Sequence, residues 1–174
     1  MKMKSIVLAA LCSCTALAQA DEMSWYKHEM DCGGARVTVR TYCELNSGPG
    51  VVAERTKGCS RAEVLVSQAG RKPARGNLLQ HEPVEDDFHF AETLRCVPAG
   101  GRHYLHVQLS TGGSCDTCEI DGIMGLDGRW KRFGERWMVA KAERRSLERA
   151  AGGWGKVPEL DLNTPLRDDR QDGR

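Results

Sequence analysis

The sequence predicts a mainly β protein: an antiparallel sandwich or small barrel, stapled by disulfides and carrying one C-terminal amphipathic helix. Three observations lead there. Apolar residues recur with period two through most of the chain, clusters of glycine, proline, asparagine and aspartate separate these runs at short intervals, and six cysteines remain once an N-terminal export segment is set aside. Short alternating strands with turns between them are the pattern of antiparallel two-sheet and closed-sheet folds.

The export segment comes first in the chain. Lys2 and Lys4 precede an apolar run from Ile6 to Leu17, and Ala18-Gln19-Ala20 forms a small-x-small cleavage site, which together read as a secretory signal peptide over residues 1–20. Its short form is bacterial in character, so the expected destination after cleavage between Ala20 and Asp21 is the periplasm or the medium. A lipidated form acylated at Cys14 is the lesser alternative, because Leu11-Cys12-Ser13 suits acylation poorly. No later apolar run approaches the roughly 20 residues of a membrane helix, so no transmembrane segment is expected.

What remains, 21–174, is the size of one domain. The whole chain has 25 Lys plus Arg and 24 Asp plus Glu; losing Lys2 and Lys4 leaves 23 against 24, a formal charge of −1. That balance argues against a nucleic-acid footprint, which wants a basic face, and against an electrostatic membrane binder.

The strands follow in order. Ala35 to Cys43 alternates, with Val37, Val39, Thr41 and Cys43 on one face and Arg36, Thr38, Arg40 and Tyr42 on the other. Asn46 to Gly50 is a turn cluster, and after Gly58 the segment Arg61 to Gln68 turns Ala62, Val64 and Val66 inward. Gly70 to Asn77 reads as a polar loop. Phe88, Phe90, Leu94 and Cys96 share a parity that Glu92 interrupts, and Gly100-Gly101 ends that run. In His103 to Ser110, Leu105, Val107 and Leu109 oppose Tyr104, His106 and Gln108. Two further strands flank Asp127-Gly128, a dipeptide suited to a type I′ hairpin.

After Gly134 the period changes to that of a helix, with Trp137, Ala140, Leu147 and Ala151 on one stripe and Gly152-Gly153 as the stop. Arg144 falls on the same stripe, so either the helix is short or the arginine's stem lies along the sheet edge with its head in water. The domain thus covers 21–152, and the charged, proline-containing 153–174 reads as a mobile tail.

The cysteines bear most directly on function. Cys32, Cys43, Cys59, Cys96, Cys115 and Cys118 are an even set in an exported chain and are expected to form structural disulfides, in one of 15 connectivities that spacing alone does not separate. Cys115-Asp116-Thr117-Cys118 has the C-x-x-C spacing of a working dithiol, yet Glu119 and Asp121 follow it, and negative charge raises rather than lowers a thiol pKa. Structural zinc would need a second ligand pair. Cys115 and Cys118 are therefore read as a staple, bonded to each other across a tight turn or to separate partners. Among other constellations, His81, Glu85, Asp86 and His89 gather potential cation ligands, but their spacing matches no calcium loop and a solvated acidic loop is the expectation.

Catalytic and cofactor motifs are not evident, and no cofactor is expected. Trp25, Tyr26 and Trp154 are the candidate contact residues, since Trp and Tyr are enriched in interface hot spots; Trp130 and Trp137 are assigned to packing. The functional expectation is an exported, disulfide-stabilised binding protein, an inhibitor, immunity-type or envelope accessory protein, whose partner is another protein or an envelope polymer. The alternative is a thiol–disulfide active protein built on Cys115 and Cys118.

Overall fold

The computed structural model of the protein describes residues 23–46, 55–79, 90–110, 119–132 and 141–166. Two antiparallel sheets stack as a sandwich. Sheet A is a meander of β1 (Met23–Cys32), β2 (Ala35–Asn46), β3 (Arg55–Gln68) and β4 (Ala74–Asn77). Sheet B has the order β8-β7-β6-β5-β9, from β5 (Phe90–Ala99), β6 (Arg102–Ser110), β7 (Glu119–Gly125), β8 (Trp130–Arg132) and β9 (Glu159–Asp161). Helix α1 (Lys141–Ala150) and a 3-10 turn, Trp154–Lys156, precede β9.

The period-two reading places the core correctly in the central strands. Val37, Val39, Val64, Val66, Leu105, Val107 and Leu109 are all at most 2% exposed and line the space between the sheets with Leu94 and Met124. Strand β1 carries the same alternation in disguise: its inward residues are Tyr26, His28, Met30 and Cys32, two of them polar, while Trp25 points outward. Hydrophobicity alone therefore misses it. Glu92 is the extra residue of a β-bulge in β5, where the register shifts between Ala91 and Thr93. The shift puts Ala91 and Leu94 on the inner face together, so the single parity expected from Phe88 to Cys96 breaks there. Phe88 lies outside the described residues.

Turns follow their glycines. Cys32 pairs with Ala35 around Gly33 and Gly34, at φ 57° and 77°, and Ala99 pairs with Arg102 around Gly100 and Gly101, at 55° and 72°. Both are two-residue hairpins with positive φ throughout, the type I′ form. The Asp127-Gly128 turn differs from expectation. Gly128 N–H donates to Gly125 O, and Gly125 N–H to Arg129 O, which closes a three-residue loop with Gly128 alone at φ 72°. That is a type I turn with a glycine bulge rather than type I′.

Two disulfides fasten the sandwich. Cys32–Cys96 joins the end of β1 to β5 and so ties sheet A to sheet B, across a sequence separation of 64. Cys43–Cys59 links β2 to β3 across the bulge in their ladder. Cys115 and Cys118 lie outside the described residues.

The segment read as a polar loop, Gly70 to Asn77, contains β4, a short edge strand paired to β3 by backbone bonds that composition does not reveal. Gly76 is required in it: a Cβ there would collide with the Gly128 carbonyl oxygen, so the edge of sheet A and the β7–β8 turn meet backbone to backbone.

The reading of 153–174 as a mobile tail needs correction over 153–166; residues 167–174 lie outside the described residues. Strand β9 pairs with β5. Beyond it, Leu162 N–H donates to Glu92 O, the Thr56 N–H and hydroxyl donate to Asn163 O and Leu162 O, and Lys27 N–H donates to Leu166 O. This segment crosses from sheet B to sheet A and caps the outer edge of β1 at Lys27, on an edge otherwise open to pairing. Charge density hid it; one side chain, Leu162, at 0% exposure, supplies its anchor. Leu162→Ala is expected to cost about 3 kcal/mol, measured as a lower urea midpoint at unchanged m-value. A loss under about 0.5 kcal/mol, the range of a surface change, would return the segment to the status of a tail.

Candidate functional site

Three regions gather polar chemistry, and they differ in access. The first is the outer face of sheet B. The β6–β7 register sets His106 opposite Ile123 and Gln108 opposite Asp121, and β5 adds Arg95 beside His106. His106 is 0% exposed. Its Nε2 lies 2.9 Å from Asp121 Oδ1, off the line a hydrogen bond requires, and neither ring nitrogen has a hydrogen-bond partner. Arg144 of α1 donates from Nη1 to Asp121 Oδ2 at 3.1 Å, which explains why an arginine sits on the inward stripe of this helix: the sheet face beneath it is charged, not apolar. Trp154 stacks on the imidazole at 4.9 Å between centroids and 15° between planes. The Arg95 guanidinium lies 5.4 Å from the Trp154 ring and is held by Glu159 and by Gln108 Oε1.

A histidine held against a carboxylate is the acid–base half of many hydrolytic sites. Here the Trp154 ring covers the imidazole, and the arrangement works as a polar clamp that fixes α1 and the chain after it onto the sheet. Trp154 thus belongs to packing rather than to a contact surface.

A second buried histidine sits in the core. His28 is 2% exposed, with no partner for Nε2. Burial pushes its pKa down to about 4, against a weaker upward pull from Asp161. Tyr26 beside it is 0% exposed and packs with the Cys43–Cys59 bridge. As a fully interior side chain it cannot touch a partner, which removes it from the candidate contact residues.

The second region, the outer face of sheet A, is open. Register aligns Trp25 with Tyr42 and Arg61, and Lys27 with Arg40 and Glu63. Trp25 and Tyr42 rings meet at 5.2 Å, and the Arg40 guanidinium lies 4.7 Å from the Trp25 ring centre, a cation–π contact. Glu29 organises the other end. It accepts from Arg36 at 2.8 Å and from Thr38 at 3.1 Å and pairs with Lys27 at 2.9 Å. Hydrogen bonds from Arg36 and then Lys27 hold its pKa near 2. Glu29, Arg36, Arg61 and Glu63 are exposed. A groove of about 630 Å³ runs along the β3–β4 side of this face, lined in part by Arg40, Arg61, Leu65 and Arg75. Of the three expected contact residues, Trp25 and Trp154 are both half-buried, but the Trp154 ring is taken up by His106 and Arg95, which leaves Trp25 as the candidate on the face of sheet A. Tyr42, Arg40 and Arg61 were not singled out from sequence; their shared parity in β2 and β3 was the available signal.

The third region is a cleft of about 1040 Å³ at the turn end of the sandwich, where the β1–β2, β3–β4, β5–β6 and β7–β8 connections converge. Gly33 is packed there directly against the His103 ring, closer than any Cβ would allow.

Among the described residues no group of His, Cys, Asp and Glu is placed to hold a metal ion, and no helix is long and apolar enough to cross a membrane. His81, Glu85, Asp86, His89 and Trp137 lie outside the described residues. Compared with known proteins, the chain matches no family model, no curated protein and no solved structure.

Proposed function

We propose that this is an extracytoplasmic binding protein, an inhibitor, immunity-type or accessory subunit, that docks a protein partner on the outer face of sheet A. The reading is carried by the contrast between the two sheets. The outer face of sheet B carries α1 and the Trp154 clamp, whereas that of sheet A presents Trp25, Tyr42, Arg40 and Arg61 beside exposed charges. Tryptophan, tyrosine and arginine are the residues most enriched in interface hot spots. The Trp25–Tyr42 ring contact and the Arg40 guanidinium beside the Trp25 ring hold these three groups in place before any partner arrives, which lowers the ordering cost of association.

Export rests on the signal-like first 20 residues; the two disulfides are compatible with an oxidising compartment. The Trp25→Ala, Arg40→Ala double variant is expected to weaken retention of the partner by at least about tenfold, the scale of a lost hot spot, with its melting temperature within a few degrees of wild type. Retention equal to wild type would remove sheet A as the docking face.

One observation favours a second reading. Cys32–Cys96 and Cys43–Cys59 account for four of the six cysteines beyond residue 20, so Cys115 and Cys118 have only each other within the processed chain. If this pair is a thiol–disulfide centre, its reduction potential will fall near the range of roughly −270 to −120 mV spanned by thioredoxin and disulfide oxidants; a structural staple will sit below about −300 mV. Titration against glutathione with mass-spectrometric readout separates the two.

A further inference from the structure

The cleft at the turn end carries an uneven charge that neither reading above uses. Arg71, Lys72, Arg102 and Lys131 line it together with His103, and among the described residues Asp127 is the one carboxylate on its wall. That carboxylate is already matched, since Lys131 Nζ lies 2.8 Å from Asp127 Oδ2. Arg71 is steadied by a 3.1 Å bond to Gln68 Oε1, a neutral group that leaves its charge uncompensated. Lys72 and Arg102 are exposed, and among the described residues neither forms an ion pair. Three cations, of which Arg71 alone is held by a neighbouring side chain, thus border one concave space in a chain whose net charge is close to zero.

We propose that this cleft binds a small, multiply phosphorylated ligand. Guanidinium forks match phosphate oxygens in pairs, and each such contact is charge-assisted. Three unmatched cations within one cleft call for several negative charges packed into a small volume. Linked phosphates supply them, whereas carboxylates carry one charge each and would need three separate groups. The cleft volume of about 1040 Å³ is at the upper end of small-molecule sites, which suits a phosphorylated sugar or headgroup rather than a flat protein surface. The site lies apart from the Trp25 platform, so the two proposals stand or fall separately.

The test is calorimetric titration at low salt with inorganic tripolyphosphate, with citrate as a carboxylate comparator. Saturable one-site binding is expected, at least about tenfold tighter than citrate. The Lys72→Ala, Arg102→Ala double variant should weaken it by at least about tenfold, while Arg36→Ala, Arg61→Ala on sheet A should leave it within about twofold. Absent or unsaturable heat, citrate binding as tight as tripolyphosphate, or equal losses in the two double variants would each overturn the proposal. So would binding to phosphatidylglycerol vesicles without binding to tripolyphosphate, which would assign the cleft to a lipid surface.

Discussion

Replacing Cys32 and Cys96 together with alanine is expected to destabilise the protein by about 4 kcal/mol and to lower its melting temperature by roughly 10 °C. The bridge closes a 64-residue separation, and in the chain-entropy account the effect grows with the logarithm of loop length. The same replacement at Cys43 and Cys59, separated by 16 residues, should cost about 3 kcal/mol. The order matters more than either value. Cys32–Cys96 joins the two sheets, whereas Cys43–Cys59 joins strands already paired within sheet A. Against a typical total of about 5 to 15 kcal/mol, losing the inter-sheet bridge removes a large share of stability. Denaturant unfolding of both variants checks this; a smaller loss at Cys32–Cys96 than at Cys43–Cys59 would mean that the reduced chain keeps the sheets together in the unfolded ensemble.

The second large effect is a pH dependence from His28. Its folded pKa of about 4 lies below the ordinary value of 6.5, because the imidazole is buried without a partner for Nε2. The unfolded chain therefore binds more protons between these two values, so stability rises with pH across that window and is lost as pH falls from about 6.5 to 4. The loss should reach about 2 kcal/mol by pH 5 and about 3 kcal/mol by pH 4. Glu29 acts in a separate, lower window: with its folded pKa near 2, its contribution is present above the ordinary carboxylate range and fades only in stronger acid. His28→Leu, close in volume, should flatten the stability profile between pH 7 and 5 and leave the variant more stable than wild type at pH 5. An unchanged profile in His28→Leu would place the acid sensitivity elsewhere.

Sequence revealed those parts of the fold where one physical signal dominates. Alternating valines and leucines in β2, β3 and β6 locate the core, because burial of apolar surface sets the register there. It failed where backbone pairing or a single side chain carries the structure. Strand β4 is held by ladder bonds and by the near contact of Gly76 with Gly128, and β9 with its following segment is anchored by Leu162 within a charged stretch. In β1 two of four inward residues are Tyr26 and His28, so the alternation does not register as hydrophobic. Arg144 shows the converse. Its place on the inward stripe is set by Asp121 on the sheet face below it, a charge that no periodicity along the helix reveals.

The candidate surfaces were less legible than the core. Trp25 was visible as an aromatic near the start of the chain, but its partners Tyr42 and Arg40 come from the next strand, and only register brings them together. The cationic cleft draws on four separate turns; no local window of sequence contains it.

The most direct measurement is crosslinking in the native compartment from two positions of the full chain. A photoreactive residue at Arg61, on the open face of sheet A, is compared with one at Arg145, on the exposed side of α1. Docking on sheet A should give a discrete, saturating crosslinked partner from position 61 that Trp25→Ala abolishes, and none from position 145. The same product from both positions, or from 145 alone, would contradict docking on sheet A.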